Sequence, residues 1–286
     1  MSSVIVPRRS VLYMPGSNSR ALEKAKSLPA DGLILDLEDA TAPDKKEEAR
    51  ELVCQAVAAG GYGSRELLIR INGLDTAWGE ADARAAAATP CHGILLPKVE
   101  RPEEVVALAE LTQASRAGLW CMLETPLGVL NAQAIASAHP RLQGFVMGTS
   151  DLTKDLYARH TPNRLPMLTS LSLCLLAARA HGLAILDGVH LDLNDEAGFR
   201  ASCVQGLELG FDGKTLIHPK QIEPCNEVFA PDPGAVEEAR RVIVAYEAAL
   251  AEGKNVCLVD GKLVENLHAA AARRLVSVAD AISQRS

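Results

Sequence analysis

Short apolar runs recur along the chain at residues 11–14, 33–37, 67–71, 93–98, 119–123, 144–147, 184–187 and, more weakly, 212–217. Each has the length of a strand. The gaps between them are long enough for one helix each, and most have helical composition. At 44–53 acids come first and an apolar stripe follows, Pro102 stands at a first helical position, and 167–181 is an apolar helix with Gly182 as its stop. Eight strands alternating with helices over about 220 residues is the count of an α/β fold of the (β/α)8 TIM barrel type. A doubly wound open sheet is the runner-up. It usually carries a glycine-rich phosphate turn after its first strand, and PGSNS at 15–19 is not GxGxxG.

Residues 1–220 are therefore expected to form the barrel, and 221–286 exceed what it needs. In that extension Pro231-Asp232-Pro233-Gly234 reads as a turn and 235–252 as an amphipathic helix. Asp260-Gly261 between two apolar runs signals a hairpin, and a last helix covers 266–282. Such a C-terminal helical extension packs on its own barrel or reaches a neighbouring subunit. No internal repeat or low-complexity linker is visible.

Composition narrows the function. Of 286 residues, 48% are apolar and 23% charged, which is a globular balance. Aromatics at 3% and a net charge of −7 argue against nucleic acid as a partner. The seven Cys show no CxxC or Cys/His zinc spacing, so they read as reduced thiols of a cytoplasmic protein. Residues 1–10 contain no apolar signal core, and no run reaches membrane length.

The chemistry concentrates between residues 119 and 156. LWCML at 119–123 leads into Glu124, and GFVMGTS at 144–150 leads into Asp151. Thr125-Pro126 reads as an N-cap with proline at the first helical position, so one helix should connect the two strands. In a parallel α/β protein these strand ends share the ligand-binding face. Glu124 and Asp151 could then hold a hard, oxygen-seeking cation with positions left for water and substrate, the habit of Mg²⁺. The plainer alternative makes Asp151 a helix cap. Glu124, an acid directly after Cys-Met-Leu, needs a partner or a metal in either case.

Other strand ends add candidates. Glu38 and Asp39 are placed to hold metal-bound waters. Arg70 suits bidentate capture of a substrate carboxylate, with a structural ion pair as the alternative; Asp36 reads as a structural partner. Lys98 is a candidate contact for an anionic ligand, with a solvent-facing side chain as the alternative. The backbone N–H groups of Gly148, Thr149 and Ser150 are candidates for binding a carboxylate or oxyanion. His218 before Pro219 reads as a turn residue. HExxH, GxSxG and Walker A patterns are all missing.

These residues carry a resemblance. RSVLYMPG (9–16), LDLEDA (35–40) with APDK (42–45), RIN (70–72) and LPKVE (96–100) resemble the HpcH/HpaI aldolase/citrate lyase family, in its citrate lyase beta-subunit and malyl-CoA lyase group. So do ETP (124–126), SDL (150–152), GFDGK (210–214) and IHPKQ (217–221), collinearly over nearly the whole chain. The resemblance implies a (β/α)8 barrel, usually a trimer, that uses Mg²⁺ (Mn²⁺ as a substitute) to make or break a carbon–carbon bond. It implies Glu124 and Asp151 as metal ligands, Arg70 as substrate clamp, and Arg9 and Lys98 as possible contacts to the coenzyme. The sequence departs from the family at two points. Ser150 stands where a Glu is common. Lyases of the malyl-CoA type place a catalytic Asp in the tail before Pro-His, where this chain has Glu265-Asn266-Leu267-His268.

The reaction expected on this basis is reversible cleavage of a malyl-, citramalyl- or citryl-type 3-hydroxyacyl-CoA into acetyl-CoA and a 2-oxo acid, with Glu265 as acid/base in a homotrimer. Alternatives are a citrate lyase beta subunit acting on an acyl-carrier-protein thioester, an acyl-CoA thioester hydrolase, and a non-catalytic thioester-binding subunit.

Overall fold

The computed structural model describes residues 5–285, so the first four residues of the opening stretch lie outside the described part. Eight parallel strands close in sequence order: β1 Ser10–Pro15, β2 Gly32–Asp36, β3 Glu66–Arg70, β4 Gly93–Leu96, β5 Gly118–Leu123, β6 Leu142–Met147, β7 Ala184–Asp187 and β8 Gly213–Leu216. Val11 of β1 pairs with both Gly32 of β2 and Thr215 of β8, which closes the barrel. All eight runs anticipated from apolar spacing become strands. Their continuous apolarity follows from burial on both faces.

Alternate residues point inward. Val11, Ile34, Leu68, Leu95, Trp120, Met122, Val146 and Leu186 form the interior cluster. Their neighbours, Leu12, Leu33, Ile69 and Cys121 among them, pack outward under the helices. Trp120 is the bulkiest interior side chain and its neighbours make room for it. A Cβ on Gly93 would lie 2.7 Å from its ring, and one on Gly144 only 2.4 Å away. Arg8 covers the ring from the strands' N-terminal side, 5.0 Å from the centroid.

Two expectations need adjustment. The single helix expected after Glu124 is two short ones, Pro126–Leu130 and Ala132–Ala136. Asn131 breaks it, its Nδ2 donating to the Glu100 carbonyl at 2.8 Å. The unit containing the barrel runs from Arg8 to Phe229, past residue 220. Helix Ile222–Phe229 belongs to it because Ile222, Cys225 and Phe229 are buried and the helix packs beside β1 and β8. His218 fixes its turn by accepting the Lys220 N–H at 3.1 Å.

The second unit takes most of its residues from Ala230 onward. Helix Pro233–Ala251 and helix Asn266–Ser283 flank the hairpin of β9 Cys257–Val259 and β10 Lys262–Val264. Tyr246, Val264 and Ala269 are its core. The hairpin turn places Asp260 and Gly261 at φ 49° and 78°, as a two-residue Asp-Gly turn requires. Among the described residues no helix is long and apolar enough to cross a membrane.

Candidate active site

The end of β2 sets the frame. Asp36 is directly paired in register with Arg70 at the end of β3. Its carboxylate accepts Arg70 Nε at 2.7 Å and Nη2 at 2.6 Å, and the Glu38 and Ala40 N–H groups at 2.9 and 3.1 Å. One buried acid therefore orients both the arginine and the loop carrying Glu38 and Asp39. Lys46 Nζ grips the same loop through the Leu37 and Glu38 carbonyls, at 2.9 and 2.7 Å. The ion-pair reading of Arg70 is thus realised on one edge of its fork. Nη1 remains, 2.8 Å from Glu38 Oε2.

Glu124, 1% exposed, follows β5. Its Oε1 accepts the backbone N–H of Lys98 at 2.8 Å. To make that contact Lys98 adopts φ 51°, a left-handed conformation uncommon outside glycine. Among the described residues Glu124 Oε2 accepts no hydrogen bond. Across the gap Gly148 follows β6, and a Cβ there would lie 2.4 Å from that oxygen, so only glycine leaves room. Asp151 sits in the first turn of the helix Thr149–Asp155, its Oδ1 3.4 Å from Lys154 Nζ.

These residues open on a cavity of about 380 Å³ whose lining includes Tyr13, Arg70, Met122, Glu124, Gly148 and Asp151. Burial pushes the Glu124 carboxyl up to about 8, against the pull of the Lys98 N–H and Arg70. Burial likewise raises Glu38, although Arg70 and Lys98 oppose the rise. For Arg70, burial works against the charge, but the hydrogen bonds to Asp36 and the charges of Asp36 and Glu38 together more than offset it. Lys98 is also held protonated: partial burial opposes its charge, but the bond to Glu38 and the charges of Glu38, Glu124 and Asp39 together outweigh it.

Most of the sequence candidates converge here. Glu38 joins Lys98 to Arg70; Asp39, 62% exposed, lies on the rim with its carboxylate 3.8 Å from Lys98 Nζ. Thr149 and Ser150 line the cavity. The Gly148 N–H is spent on the Leu123 carbonyl at 3.1 Å, so of the three proposed backbone donors only those of Thr149 and Ser150 face no intrahelical acceptor. Arg9 is elsewhere. It precedes β1, at the opposite end of the strands, and its fork is filled by Asp31 at 2.8 and 2.9 Å. Glu265 lies in the second unit, where it caps the helix Asn266–Ser283 and its N–H donates to His268 Nδ1 at 3.1 Å. Tyr13 and Met122 were not anticipated, although alternation from Val11 and Trp120 turns both inward.

The donor set suits a hard cation. Glu124 offers a carboxyl oxygen with no protein donor, in a gap kept clear by Gly148, and Asp151 lines the same cavity. Among the described residues no three His, Cys, Asp or Glu side chains form a closed cage. An open site with two carboxylates is the Mg²⁺ pattern rather than the zinc one.

Comparison with known proteins finds relatives that match over nearly the whole chain. The chain is 53% identical over 277 residues, 97% of its length, to the (3S)-malyl-CoA thioesterase of Cereibacter sphaeroides, covering 96% of that protein. It is 37% identical to the citrate lyase subunit beta of Leuconostoc mesenteroides subsp. cremoris, with 96% and 94% of the two chains covered. Among solved structures it is similar to the CitE protein of Mycobacterium tuberculosis in complex with magnesium, acetoacetate and coenzyme A. That match has a TM-score of 0.77, 29% identity, and coverage of 95% and 97%. The family model for HpcH/HpaI aldolase/citrate lyase matches residues 9–219. Its span takes in every strand of the barrel and every residue around the cavity: the chain belongs to the HpcH/HpaI aldolase/citrate lyase family.

Proposed function

We propose that this chain is a Mg²⁺-dependent enzyme that hydrolyses a malyl-type 3-hydroxyacyl-CoA thioester. The observation that carries the reaction is its 53% identity, over nearly the full length of both chains, to a (3S)-malyl-CoA thioesterase. Hydrolysis thereby moves ahead of the carbon–carbon cleavage expected from the sequence.

Glu124 and Asp151 would hold the ion, with Glu38 and Asp39 on its waters. Bound there, Mg²⁺ supplies Lewis-acid polarisation of substrate oxygens. Arg70, fixed by Asp36, presents Nη1 to a substrate carboxylate or to charge developing on the thioester oxygen. The N–H groups of Thr149 and Ser150 favour the same charge. Lys98, 44% exposed, is the proposed contact for an anionic part of the coenzyme. The oxygen of a water bonds to the thioester carbon, the carbon–sulfur bond breaks, and a proton passes to the sulfur. Free 3-hydroxy acid and CoA result. We place the enzyme in the cytoplasm, where its seven free thiols stay reduced, as a homotrimer of the kind the resemblance implies.

A second reading, reversible carbon–carbon cleavage, is favoured by the 37% identity to a citrate lyase beta subunit. In it Glu265 reaches a neighbouring subunit's site as the acid/base at the acetyl carbon. One experiment separates the two. Malyl-CoA with Mg²⁺ should give malate and CoA by mass spectrometry; acetyl-CoA and glyoxylate would instead establish the lyase. Glu265→Gln should leave hydrolysis intact, whereas a loss of roughly 10²–10⁴-fold, the range for a general acid–base group, would support the lyase reading. Silence toward every CoA ester would favour a carrier-protein thioester.

A further inference from the structure

Two donors of the site converge on one poor acceptor. Tyr13 Oη donates to Met122 Sδ at 3.7 Å, and Arg70 Nη1 donates to the same sulfur at 3.7 Å. A thioether accepts hydrogen bonds only weakly. Among the described residues the Tyr13 hydroxyl has no other hydrogen-bond partner. Arg70 Nε and Nη2 are already committed to Asp36, and Nη1, which carries two N–H groups, lies 2.8 Å from Glu38 Oε2 and has its second N–H for the sulfur. The two donor atoms are also held together, because the Tyr13 ring lies 5.0 Å from the Arg70 guanidinium in a cation–π contact. All three side chains line the cavity beside Glu124. Oη and Nη1 thus form a fixed pair of donors on an acceptor that an oxygen would outcompete. The acceptor sits on an unbranched, readily re-oriented side chain.

We propose that Tyr13 Oη and Arg70 Nη1 form a two-donor seat for one substrate oxygen, a carboxylate or carbonyl oxygen of the acid portion, and that Met122 Sδ occupies the seat until that oxygen displaces it. The function proposed above supplies only the substrate; the seat belongs to these three side chains. It makes Tyr13 a substrate-binding residue and Met122 a placeholder.

The test is calorimetric titration of acetoacetate into the Mg²⁺-loaded full-length protein, beside Mg²⁺ titrations and malyl-CoA turnover. Tyr13→Phe keeps the ring and its contact with Arg70 and removes only Oη. It should weaken acetoacetate binding about fivefold to tenfold, the weight of one ordinary hydrogen bond, with Mg²⁺ affinity unchanged. Met122→Leu keeps the volume and removes the sulfur, so acetoacetate should bind at least about twofold more tightly once the competing acceptor is gone. Wild-type affinity in Tyr13→Phe would overturn the seat, as would parallel losses of Mg²⁺ and acetoacetate affinity, or no acetoacetate binding by the wild type. Weaker or unchanged binding in Met122→Leu would overturn the placeholder role. A wild type inert toward malyl-CoA, with Tyr13→Phe still selectively weakening acetoacetate, would sink the proposed function and leave the seat standing.

Discussion

The two ends of the barrel use the same ionic vocabulary and spend it differently. At the N-terminal ends Arg8 meets Glu66 at 2.5 and 2.7 Å, and Arg9 meets Asp31 at 2.8 and 2.9 Å. Each fork is matched to one carboxylate. At the C-terminal ends Arg70 and Lys98 face Asp36, Glu38, Asp39, Glu124 and Asp151, so carboxylates outnumber the cations among them. One end is closed chemistry and the other is left open. An Arg–carboxylate pair alone identifies neither; the surplus of acids does.

The sharpest way to break this contrast is to remove the surplus. Glu124→Gln or Asp151→Asn should abolish most Mg²⁺ affinity while the fold survives. Activity should fall by more than roughly 100-fold, beyond the 10- to 100-fold that outer residues of metal sites usually cost. Chelator should silence the wild type, and Mg²⁺ or Mn²⁺ should restore it. Equal calorimetric Mg²⁺ titrations of mutant and wild type would refute the metal assignment.

Arg70→Lys and Arg9→Lys should then separate the two ends. At the mouth a lysine keeps the charge but cannot serve Asp36 and a substrate together. kcat/KM should drop about 10- to 100-fold, the value of one charged hydrogen bond. An unchanged kcat/KM would make Arg70 purely structural.

The pH dependence of stability sharpens the comparison further. Glu124 keeps its proton up to about pH 8 in the folded protein, whereas an ordinary glutamate releases it near 4.5. The folded state therefore binds more protons than the unfolded state across that window, and metal-free stability must fall as pH rises from about 5 to 8. Relative to Glu124→Gln, the wild type in chelator should lose at least about 2–4 °C of melting temperature over that range, and Mg²⁺ should abolish the difference. Parallel melting curves of the two proteins would rule this out.

The smallest effect on activity belongs to Arg9→Lys. It should cost about 1–2 kcal/mol of stability and leave kcat and KM for the CoA ester unchanged. A raised KM would return Arg9 to the coenzyme.

The sequence was legible where a local pattern answers to one physical cause. Strands buried on both faces must be apolar throughout, so all eight runs stood out, and acids ending such runs marked the mouth. Asp260-Gly261 named its own turn. Pairings between segments were less legible. That Asp36 would occupy two of Arg70's donors depends on β2–β3 register, which spacing alone does not reveal. The break at Asn131 depends on a carbonyl 31 residues away. Arg9 sits in a family motif yet precedes its strand by one residue, and that single position puts it at the far end of the barrel.

Trp120 carries one more consequence. Its ring, wedged against Gly93 and Gly144 with Arg8 beneath, fills the barrel axis under Met122, so the cavity is a cul-de-sac. Entry and departure share one doorway. For a substrate made of a small acid joined to a long coenzyme, the acid lies innermost and the coenzyme spans the threshold. Once the bond between them is cut, the coenzyme has to depart first. In steady-state kinetics the acid should then act as a competitive product inhibitor and CoA as a noncompetitive one.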